Sequence, residues 1–280
     1  MGVPYAEVIG DPIAHSKSPL IHKFWLGRLG LEGDYRATRV APQDIASYLS
    51  NRRADPDWRG CSVTMPLKRL VEPHLDHLDP SSEWAGSTNC IFWDDPQTLA
   101  GCNTDSSGVG TALIEANLRF KAAAVIGSGA AAQCALWTLR EEEIAHVRFV
   151  ARNAQEAARL LSFMNLPGEI YSVEEAAEAF SGASAIINAS PLGMNGFAKM
   201  PVEILAGVRH SRIDSTVFDM VYDPVVTELL VEAARMGRKV ADGLDMLVAQ
   251  ARDSFHHFYR GDHAGIDFAW DGELRELLTR

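Results

Sequence analysis

The chain has 280 residues, of which 47% are hydrophobic and 22% are charged, and its formal net charge at pH 7 is −11. This length predicts one or two domains with a sizeable core. The negative charge disfavours nucleic-acid binding, because a surface that contacts phosphates needs clustered lysine and arginine. The four cysteines form no C-x-x-C pair and indicate neither a disulfide framework nor a zinc site.

Short strands and helices alternate irregularly in the first hundred residues. Tyr5 to Ile9 is predicted to form a strand. Ser18 is predicted to be the N-cap of the following helix, with Pro19 at its first position, and Gly30 ends the helical pattern. Two further short strands are predicted at residues 61–64 and 91–93.

From residue 122 strands and helices alternate regularly, which predicts a parallel, doubly wound sheet with helices on both faces. Strands are predicted at residues 123–126, 147–151, 185–189 and 216–220. Helices are predicted at residues 130–142, 155–164, 174–180, 225–236 and 244–259. The fold class is therefore α/β, and the polar tail after residue 261 predicts no particular element.

His74 and His77 form an H-x-x-H pattern, but prolines and aspartates surround them. This context favours a solvated turn over a metal site, and no metal is predicted. The N-terminal residues lack the positive start and apolar core of a signal peptide. The most apolar stretch, residues 122–139, is interrupted by glycines and Gln133, so we expect no membrane span and a cytoplasmic protein.

A glycine loop follows the first strand of the alternating region and has the pattern G-x-G-x-x-A at residues 127–132. The first glycine permits a tight turn, the second lets a pyrophosphate approach the backbone, and the alanine lets helix and strand pack closely. A purely structural turn is the alternative, but the strand before and the helix after favour dinucleotide binding. The predicted binding residues are Gly127, Ser128, Gly129, Ala130 and Ala131.

The residues after the next predicted strand indicate which nucleotide binds. Proteins that bind NAD usually have an acidic residue there, which contacts the ribose 2′-hydroxyl. Here the strand is followed by Arg152 and Asn153. A guanidinium group can pair bidentately with a 2′-phosphate, so NADP is predicted in preference to NAD. The alternative is an ordinary solvated arginine.

Lys68 and Asp105 are the candidate reacting groups. Lys68 follows a predicted strand on which Ser62 and Thr64 point the same way. Asp105 lies in a polar, glycine-bounded turn ahead of the glycine loop. Reduction of a ketone by hydride needs a proton at the oxygen, which a lysine can deliver while a carboxylate orients it. Asp105 just ahead of the glycine loop favours a two-domain oxidoreductase. Lys68 joins it only if folding brings the two groups together, and the alternative is an ordinary solvated lysine.

Seven segments in order along the chain carry a more specific signal. They are H-S-K-S-P at 15–19, S-V-T-M-P-L-K at 62–68, S-T-N at 87–89, N-T-D at 103–105, N-A-S-P-L-G-M at 188–194, D-M-V-Y-D-P at 219–224 and G-L-D-M-L-V-A-Q at 243–250. With these motifs the chain resembles the shikimate dehydrogenases over nearly its whole length.

The resemblance implies reversible, NADPH-dependent reduction of 3-dehydroshikimate to shikimate, a step of the chorismate pathway of aromatic amino acid biosynthesis. It implies that Lys68 passes a proton to or from the substrate hydroxyl and that Asp105 binds that hydroxyl and holds the lysine. It assigns substrate binding to Ser16, Ser18, Ser62, Thr64, Asn89, Tyr222 and Gln250. Beyond the glycine loop, it assigns cofactor binding to Arg152, Asn153, Ser190, Met194 and Gly243.

The resemblance also implies an architecture. A substrate-binding domain at residues 1–106, completed by C-terminal helices at 243–280, would accompany a Rossmann-type NADP domain at 107–242, with the site in the cleft between them. The expected partners are the small-molecule substrate and the cofactor, with no nucleic acid and no membrane. The expected assembly is a monomer or a homodimer.

Three departures from the family's motifs leave alternatives open. Ser62 stands where the family has asparagine, so a contact to a ring hydroxyl is lost or bridged by water. A quinate/shikimate dehydrogenase, or a paralogue that acts on a related ring acid, is therefore the first alternative. Ala130 in the glycine loop and the residues beside Arg152 also differ, which affects phosphate approach and NADP selectivity. A non-catalytic NADP-binding regulatory module is the alternative from another class.

Overall fold

The computed structural model describes residues 2–114, 118, 121–259, 266 and 268–279. The chain divides into two compact units, the first comprising Met1–Thr104 and Gln250–Arg280 and the second Asp105–Ala249. Each unit contains a sheet and helices, which confirms the predicted α/β class. The division of function between residues 1–106 with 243–280 and residues 107–242 stays a prediction.

The secondary structure is numbered in chain order. The strands are β1 (Tyr5–Gly10), β2 (Asp34–Arg39), β3 (Trp58–Val63), β4 (His77–Leu78), β5 (Cys90–Asp95), β6 (Thr98–Cys102), β7 (Ala122–Ile126), β8 (His146–Val150), β9 (Gly168–Tyr171), β10 (Ala185–Asn188), β11 (Thr216–Asp219) and β12 (Lys239–Ala241). The α-helices are α1 (Ser18–Leu29), α2 (Ile45–Arg53), α3 (Pro80–Ala85), α4 (Asp105–Ala112), α5 (Ala130–Glu141), α6 (Ala154–Met164), α7 (Ala176–Phe180), α8 (Val202–Gly207), α9 (Glu228–Arg235), α10 (Gly243–Phe258) and α11 (Asp271–Thr279).

The sheet of the first unit is mixed, with the strand order β2-β1-β3-β5-β6-β4. β1 pairs in parallel with β2 and β3, whereas β5 is antiparallel to both β3 and β6. Side chains alternate between two core clusters, so that Cys61 and Val63 of β3 lie in one cluster and Cys90 and Cys102 in the other. β1 is buried at every position because both faces of the sheet are covered.

The sheet of the second unit has the order β12-β11-β10-β7-β8-β9, and all of its neighbouring strands are parallel. Counted within the unit, this is the strand order 3-2-1-4-5-6 of dinucleotide-binding folds. The order reverses between β7 and β10, and ligands bind in such folds outside the carboxyl ends of the strands at this point. The doubly wound arrangement predicted from the strand–helix alternation is confirmed.

One local prediction is wrong: Ser18 does not cap α1. Lys17 occupies the N-cap position with φ −83° and ψ −8°, and Ser18 is the first helical residue. The helix begins one residue earlier than predicted because the backbone of Lys17 is already helical. The N–H of Ser18 donates to Ser16 Oγ at 3.3 Å. Gly30 ends the helix as predicted, in the left-handed conformation with φ 65°.

Several elements were not predicted from hydrophobic periodicity. They include the edge strand β2, the helices α2 and α8, and the helix α11 in the polar tail. In that tail, residues 260–265, 267 and 280 lie outside the described residues. His74 and His77 are both exposed. Within the described part of the chain, no group of His, Cys, Asp and Glu side chains is arranged to hold a metal ion. No helix there is long and apolar enough to cross a membrane.

Candidate functional site

A hydrogen-bonded cluster in the first unit joins Asn89, Thr104 and Gln250. Asn89 Nδ2 donates to Thr104 Oγ1 at 3.0 Å, and the N–H of Thr104 donates back to Asn89 Oδ1 at 2.8 Å. Thr104 Oγ1 also lies 3.4 Å from Gln250 Oε1 and 3.3 Å from Ser254 Oγ. Two amide side chains that the sequence motifs assign to substrate binding are therefore held around a single buried hydroxyl.

The backbone on either side of this cluster is fixed by further hydrogen bonds. The N–H of Val63 at the end of β3 donates to Asn89 O at 2.7 Å, and the N–H of Asn89 donates to Cys102 O at 3.1 Å. Asn103 Nδ2 donates to Ser87 O at 2.6 Å. The segment that carries Asn89 is thereby held between the ends of β3 and β6. Asn103 was quoted in a motif, but its positioning role was missed.

Ser62 and Thr64 lie at the carboxyl end of β3 and just beyond it. Ser62 is buried, and its Oγ accepts a hydrogen bond from the Tyr35 hydroxyl at 2.7 Å. Thr64 is half-buried, and its N–H donates to Ile9 O at 2.9 Å, which keeps it against β1. Both predicted hydroxyls therefore lie at the carboxyl end of the strand that precedes Lys68. Tyr35 was not a predicted site residue.

Lys68 lies in the turn that follows β3. The N–H of Thr88 donates to Lys68 O at 2.9 Å, which fixes the lysine backbone beside the segment that carries Asn89. Ser16 and Ser18 lie at the start of α1, where Ser18 is buried and Ser16 is half-buried. The first unit thus contains seven of the predicted site residues, counting Gln250 at its chain boundary: Ser16, Ser18, Ser62, Thr64, Lys68, Asn89 and Gln250.

Asp105 and Tyr222 belong to the second unit. Asp105 is the first residue of α4, and Tyr222 lies in the loop that follows β11; both are half-buried. Asp105 also follows Thr104 of the first unit directly along the chain. The predicted approach of Asp105 to Lys68 stays a prediction.

The glycine loop lies between β7 and α5 and uses its two glycines differently. Gly127 has φ 93°, and a Cβ there would lie 2.8 Å from Ser190 Cβ and 3.2 Å from Ala189 O. Gly129 has φ −91°, and a Cβ there would meet nothing within 4 Å. Glycine at 127 is thus required by the fold, whereas the space in front of Gly129 is open to an anion at the start of α5.

The two residues predicted to follow β8 as cofactor contacts differ in role: Asn153 caps a helix, whereas Arg152 is exposed. Asn153 is the N-cap of α6, and its Oδ1 accepts the N–H of Glu156 at 3.1 Å. Its side chain therefore has a capping role that the sequence interpretation missed. Arg152 is exposed, and no hydrogen bond or ion pair joins it to any residue that the structure describes. Its guanidinium group is available to an external anion.

A buried polar network at the ends of β10 and β11 was not predicted as part of the site. Asn188 Nδ2 donates to Asp219 Oδ1 at 2.8 Å, and Thr227 Oγ1 donates to Asp219 Oδ2 at 2.6 Å. Burial raises the pKa of the Asp219 carboxyl, while these hydrogen bonds oppose the rise. Asn188 Oδ1 accepts the Ser190 hydroxyl at 2.7 Å. The network therefore orients Ser190 beside Gly127.

Met194 and Gly243 lie close to the same strand ends. The N–H of Met194 donates to Pro191 O at 3.2 Å in the loop after β10. Gly243 is buried at the start of α10, and a Cβ there would lie 2.5 Å from Met220 O and 2.7 Å from Val221 O. Only glycine allows this close approach of two backbones.

The second unit therefore has the features of a dinucleotide-binding unit: the parallel sheet with its order reversed beside β7, the open glycine loop and the exposed arginine. The first unit adds hydroxyl and amide groups near a lysine, which suits a small ligand rich in oxygen atoms. Fold and site define the class of two-unit, nucleotide-dependent oxidoreductases.

Comparison with known proteins narrows this class. Residues 8–91 match the family model of the shikimate dehydrogenase substrate binding domain. The shikimate dehydrogenase (NADP(+)) of Sphingopyxis alaskensis is 40% identical over 99% of this chain and 97% of its own length. The shikimate 5-dehydrogenase of Thermus thermophilus, solved with NADP(H) and shikimate, is 30% identical and superposes with a TM-score of 0.82. The match covers 98% of this chain and 99% of the Thermus chain. The chain belongs to the shikimate dehydrogenase family.

Proposed function

We propose that this protein catalyses the reversible, NADPH-dependent reduction of 3-dehydroshikimate to shikimate. The observation that carries the proposal is the Asn89–Thr104–Gln250 cluster, in a chain that aligns over 99% of its length with a shikimate dehydrogenase that uses NADP. Neutral hydroxyls and amides of this kind bind ring hydroxyls without the cost of burying charges.

The substrate would be bound mainly by the first unit. Ser16 and Ser18 at the start of α1 would bind the carboxylate, and Ser62, Thr64, Asn89 and Gln250 would bind the ring hydroxyls. Tyr222 of the second unit would close over the acid. The supporting observations are the burial of Ser18, Ser62 and Asn89 and the hydrogen bonds that join Asn89 and Gln250 to Thr104.

Proton transfer would be carried out by Lys68 and Asp105. NADPH, when bound, supplies the hydride for the carbonyl carbon. The Lys68 ammonium would deliver a proton to the carbonyl oxygen as it becomes a hydroxyl, and in the oxidation direction the neutral amine would take that proton back. The Asp105 carboxylate would accept a hydrogen bond from the same hydroxyl and hold the lysine in place.

The cofactor would be bound by the second unit. The backbone at Gly127, Ser128, Gly129, Ala130 and Ala131 would hold the pyrophosphate, which the open space in front of Gly129 supports. The exposed Arg152 would bind the 2′-phosphate. The remaining proposed contacts are made by Asn153, Ser190, Met194 and Gly243.

A second candidate function is the oxidation of quinate or a related ring acid. It is favoured by the environment of Ser62, whose hydroxyl is already engaged by Tyr35. Ser62 has a shorter reach and fewer donors than an amide would have at this position. Because hydrogen bonds to ring hydroxyls discriminate between such acids, this contact bears on substrate choice.

We further propose that the protein works in the cytoplasm as a monomer or homodimer. The four cysteines are free and buried, and unpaired thiols are typical of a reducing compartment.

The first experiment is to measure initial rates of oxidation of shikimate and of quinate, each with NADP and with NAD. We expect the highest kcat/KM for shikimate with NADP. Preference for quinate would replace the proposed substrate, and preference for NAD would replace the proposed cofactor. NADP binding without turnover of either acid would instead support a regulatory module.

A further inference from the structure

Tyr35 reaches Ser62 from two strands away. Tyr35 lies on β2, Ser62 lies on β3, and β1 runs between them. On β1 the residue paired with Tyr35 is Ala6, whose methyl group belongs to the same core cluster as the tyrosine ring. Tyr35 is fully buried, and its hydroxyl donates to Ser62 Oγ at 2.7 Å. A tyrosine outside the predicted site is thus connected directly to a proposed substrate-binding hydroxyl.

The ring of Tyr35 is held by His22 of α1. The two rings stack with their centroids 3.9 Å apart and their planes 8° apart. His22 is fully buried, and neither of its ring nitrogens has a hydrogen-bond partner among the residues that the structure describes. Burial lowers the pKa of His22 to about 3, so the imidazole is neutral at physiological pH. His22 therefore acts as a flat packing surface for the ring of Tyr35, the residue whose hydroxyl donates to Ser62.

The direction of the Tyr35–Ser62 hydrogen bond determines what Ser62 offers to a ligand. Burial raises the pKa of Tyr35 well above its usual value, so the phenol keeps its proton and donates it. A serine hydroxyl has one hydrogen and two lone pairs, and one lone pair is already occupied by Tyr35. The hydrogen of Ser62 stays available, and accepting a hydrogen bond makes a hydroxyl a better donor.

We propose that Tyr35 is a positioning residue that fixes the Ser62 hydroxyl as a hydrogen-bond donor to one ring hydroxyl oxygen of the bound acid, and that the pair thereby sets substrate preference. The inference rests on the proposed function, since it needs a ring acid in the first unit. Tyr35 itself would not touch the substrate. Ser62 would contact it, with its orientation set from behind by Tyr35.

The test is steady-state kinetics of Tyr35→Phe, which removes the hydroxyl and keeps the ring that stacks on His22. We expect the KM for shikimate to rise about 3- to 10-fold, the scale of one hydrogen bond. The kcat and the KM for NADP should stay within about twofold, because neither proton transfer nor the nucleotide involves this pair. Unchanged KM for shikimate would overturn the proposal.

Tyr48→Phe is the matched control. Tyr48 is also a buried tyrosine of the first unit, and its hydroxyl donates to Glu7 Oε1 at 2.6 Å in the other core cluster. Both variants lose one buried hydroxyl, so a general loss of packing would affect them alike. We expect a rise in KM only for Tyr35→Phe, and an equal rise in both variants would overturn the positioning role.

Ser62→Ala removes the hydroxyl that accepts the hydrogen bond from Tyr35. It tests the proposal independently if Tyr35→Phe does not fold. It should raise KM for shikimate by a similar factor, and the double variant should be no worse than either single variant, because both changes remove one unit. Additive effects, or unchanged KM in Ser62→Ala, would contradict the proposal.

Shikimate analogues that each lack one ring hydroxyl identify the contact. The KM difference between wild type and Tyr35→Phe should vanish for the one analogue that lacks the oxygen bound by Ser62 and persist for the others. A KM difference that persists with every analogue would exclude a ring hydroxyl as the group that Ser62 binds. Absence of shikimate turnover in the wild type would refute the proposed function itself, which is a separate outcome.

Discussion

The two units of this protein build their sites in different ways. In the second unit, the proposed pyrophosphate-binding residues are contiguous, from the end of β7 into the start of α5. In the first unit, the proposed substrate-binding residues come from α1, β3, the segment before β5 and α10, far apart along the chain. Backbone geometry forms the nucleotide loop, whereas hydrogen bonds between side chains assemble the Asn89–Thr104–Gln250 cluster.

This difference determines how each site responds to substitution. A site formed by backbone amides depends on which φ and ψ angles and which Cβ atoms the loop tolerates. A site formed by side chains depends on each hydroxyl and amide being held by a partner. Substitutions in the glycine loop should therefore change folding or nucleotide affinity, and those in the side-chain site of the first unit should change substrate kinetics while nucleotide affinity is unaffected.

The largest expected effect is that of Lys68→Ala on catalysis. Removing the proposed proton donor should lower kcat by more than about 10²-fold, the usual scale for a positioned acid–base group. The Kd for NADP, measured by fluorescence titration, should stay unchanged if the two units act separately. Lys23→Ala, which removes an exposed lysine paired with Asp34, is the control and should leave kcat unchanged. A loss of less than tenfold in Lys68→Ala would refute the assigned role.

Gly127→Ala and Gly129→Ala separate folding from binding within the glycine loop. At Gly127 the positive φ and the contact with Ser190 should together lower the free energy of unfolding by about 2–5 kcal/mol, measured by urea denaturation. At Gly129 the open space should keep the change below about 0.5 kcal/mol. Gly129→Ala should instead weaken NADP binding, because the methyl group occupies the path of the phosphate. Equal destabilisation by the two substitutions would contradict this division.

His22 should make the stability of the first unit depend on pH. Its pKa is about 3 in the folded protein and about 6.5 in the unfolded chain, so between these values the unfolded chain binds a proton that the folded protein does not. The stability that the neutral His22 contributes is therefore fully present above pH 6.5 and is lost as the pH falls toward 3. Between pH 7 and pH 5 the free energy of unfolding should fall by about 2 kcal/mol for this reason.

His22→Phe should remove this part of the pH dependence while keeping a ring against Tyr35. The change in the free energy of unfolding from pH 7 to pH 5 should be about 2 kcal/mol smaller in the variant than in the wild type. Urea denaturation at both pH values measures it. Identical pH dependence in the two proteins would show that the buried imidazole does not titrate as its environment requires.

The smallest expected effect is that of Arg152→Ala on nucleotide choice. Loss of the exposed guanidinium should weaken NADP binding about tenfold and leave NAD binding within about twofold, because only NADP carries the 2′-phosphate. Isothermal titration with both nucleotides measures this ratio. Arg159→Ala is the control, since Arg159 on α6 is paired with Glu156 and should affect neither nucleotide. Equal weakening of NADP binding and NAD binding would contradict the proposed contact between Arg152 and the 2′-phosphate.

The sequence predicted the second unit better than the first, for a physical reason. Parallel strands covered by helices have apolar runs of their own, and a glycine loop needs only adjacent residues, so local patterns sufficed for β7, β8, β10 and β11. In the first unit, β2 is a polar edge strand with little alternation, and it was missed together with Tyr35, whose hydroxyl donates to Ser62.

Local sequence thus determined the α/β class, the glycine loop and the motifs that place the chain in its family. Only the tertiary structure decided which polar side chains hold one another: Thr104 with Asn89 and Gln250, Asp219 with Asn188, and Tyr35 with Ser62. It also decided that Asn153 caps a helix and that Lys17, not Ser18, precedes α1. The side-chain pairs join residues that are distant along the chain, and the periodicity of any one segment does not contain them; the two helix starts are local, but they depend on backbone angles that the residue types left open.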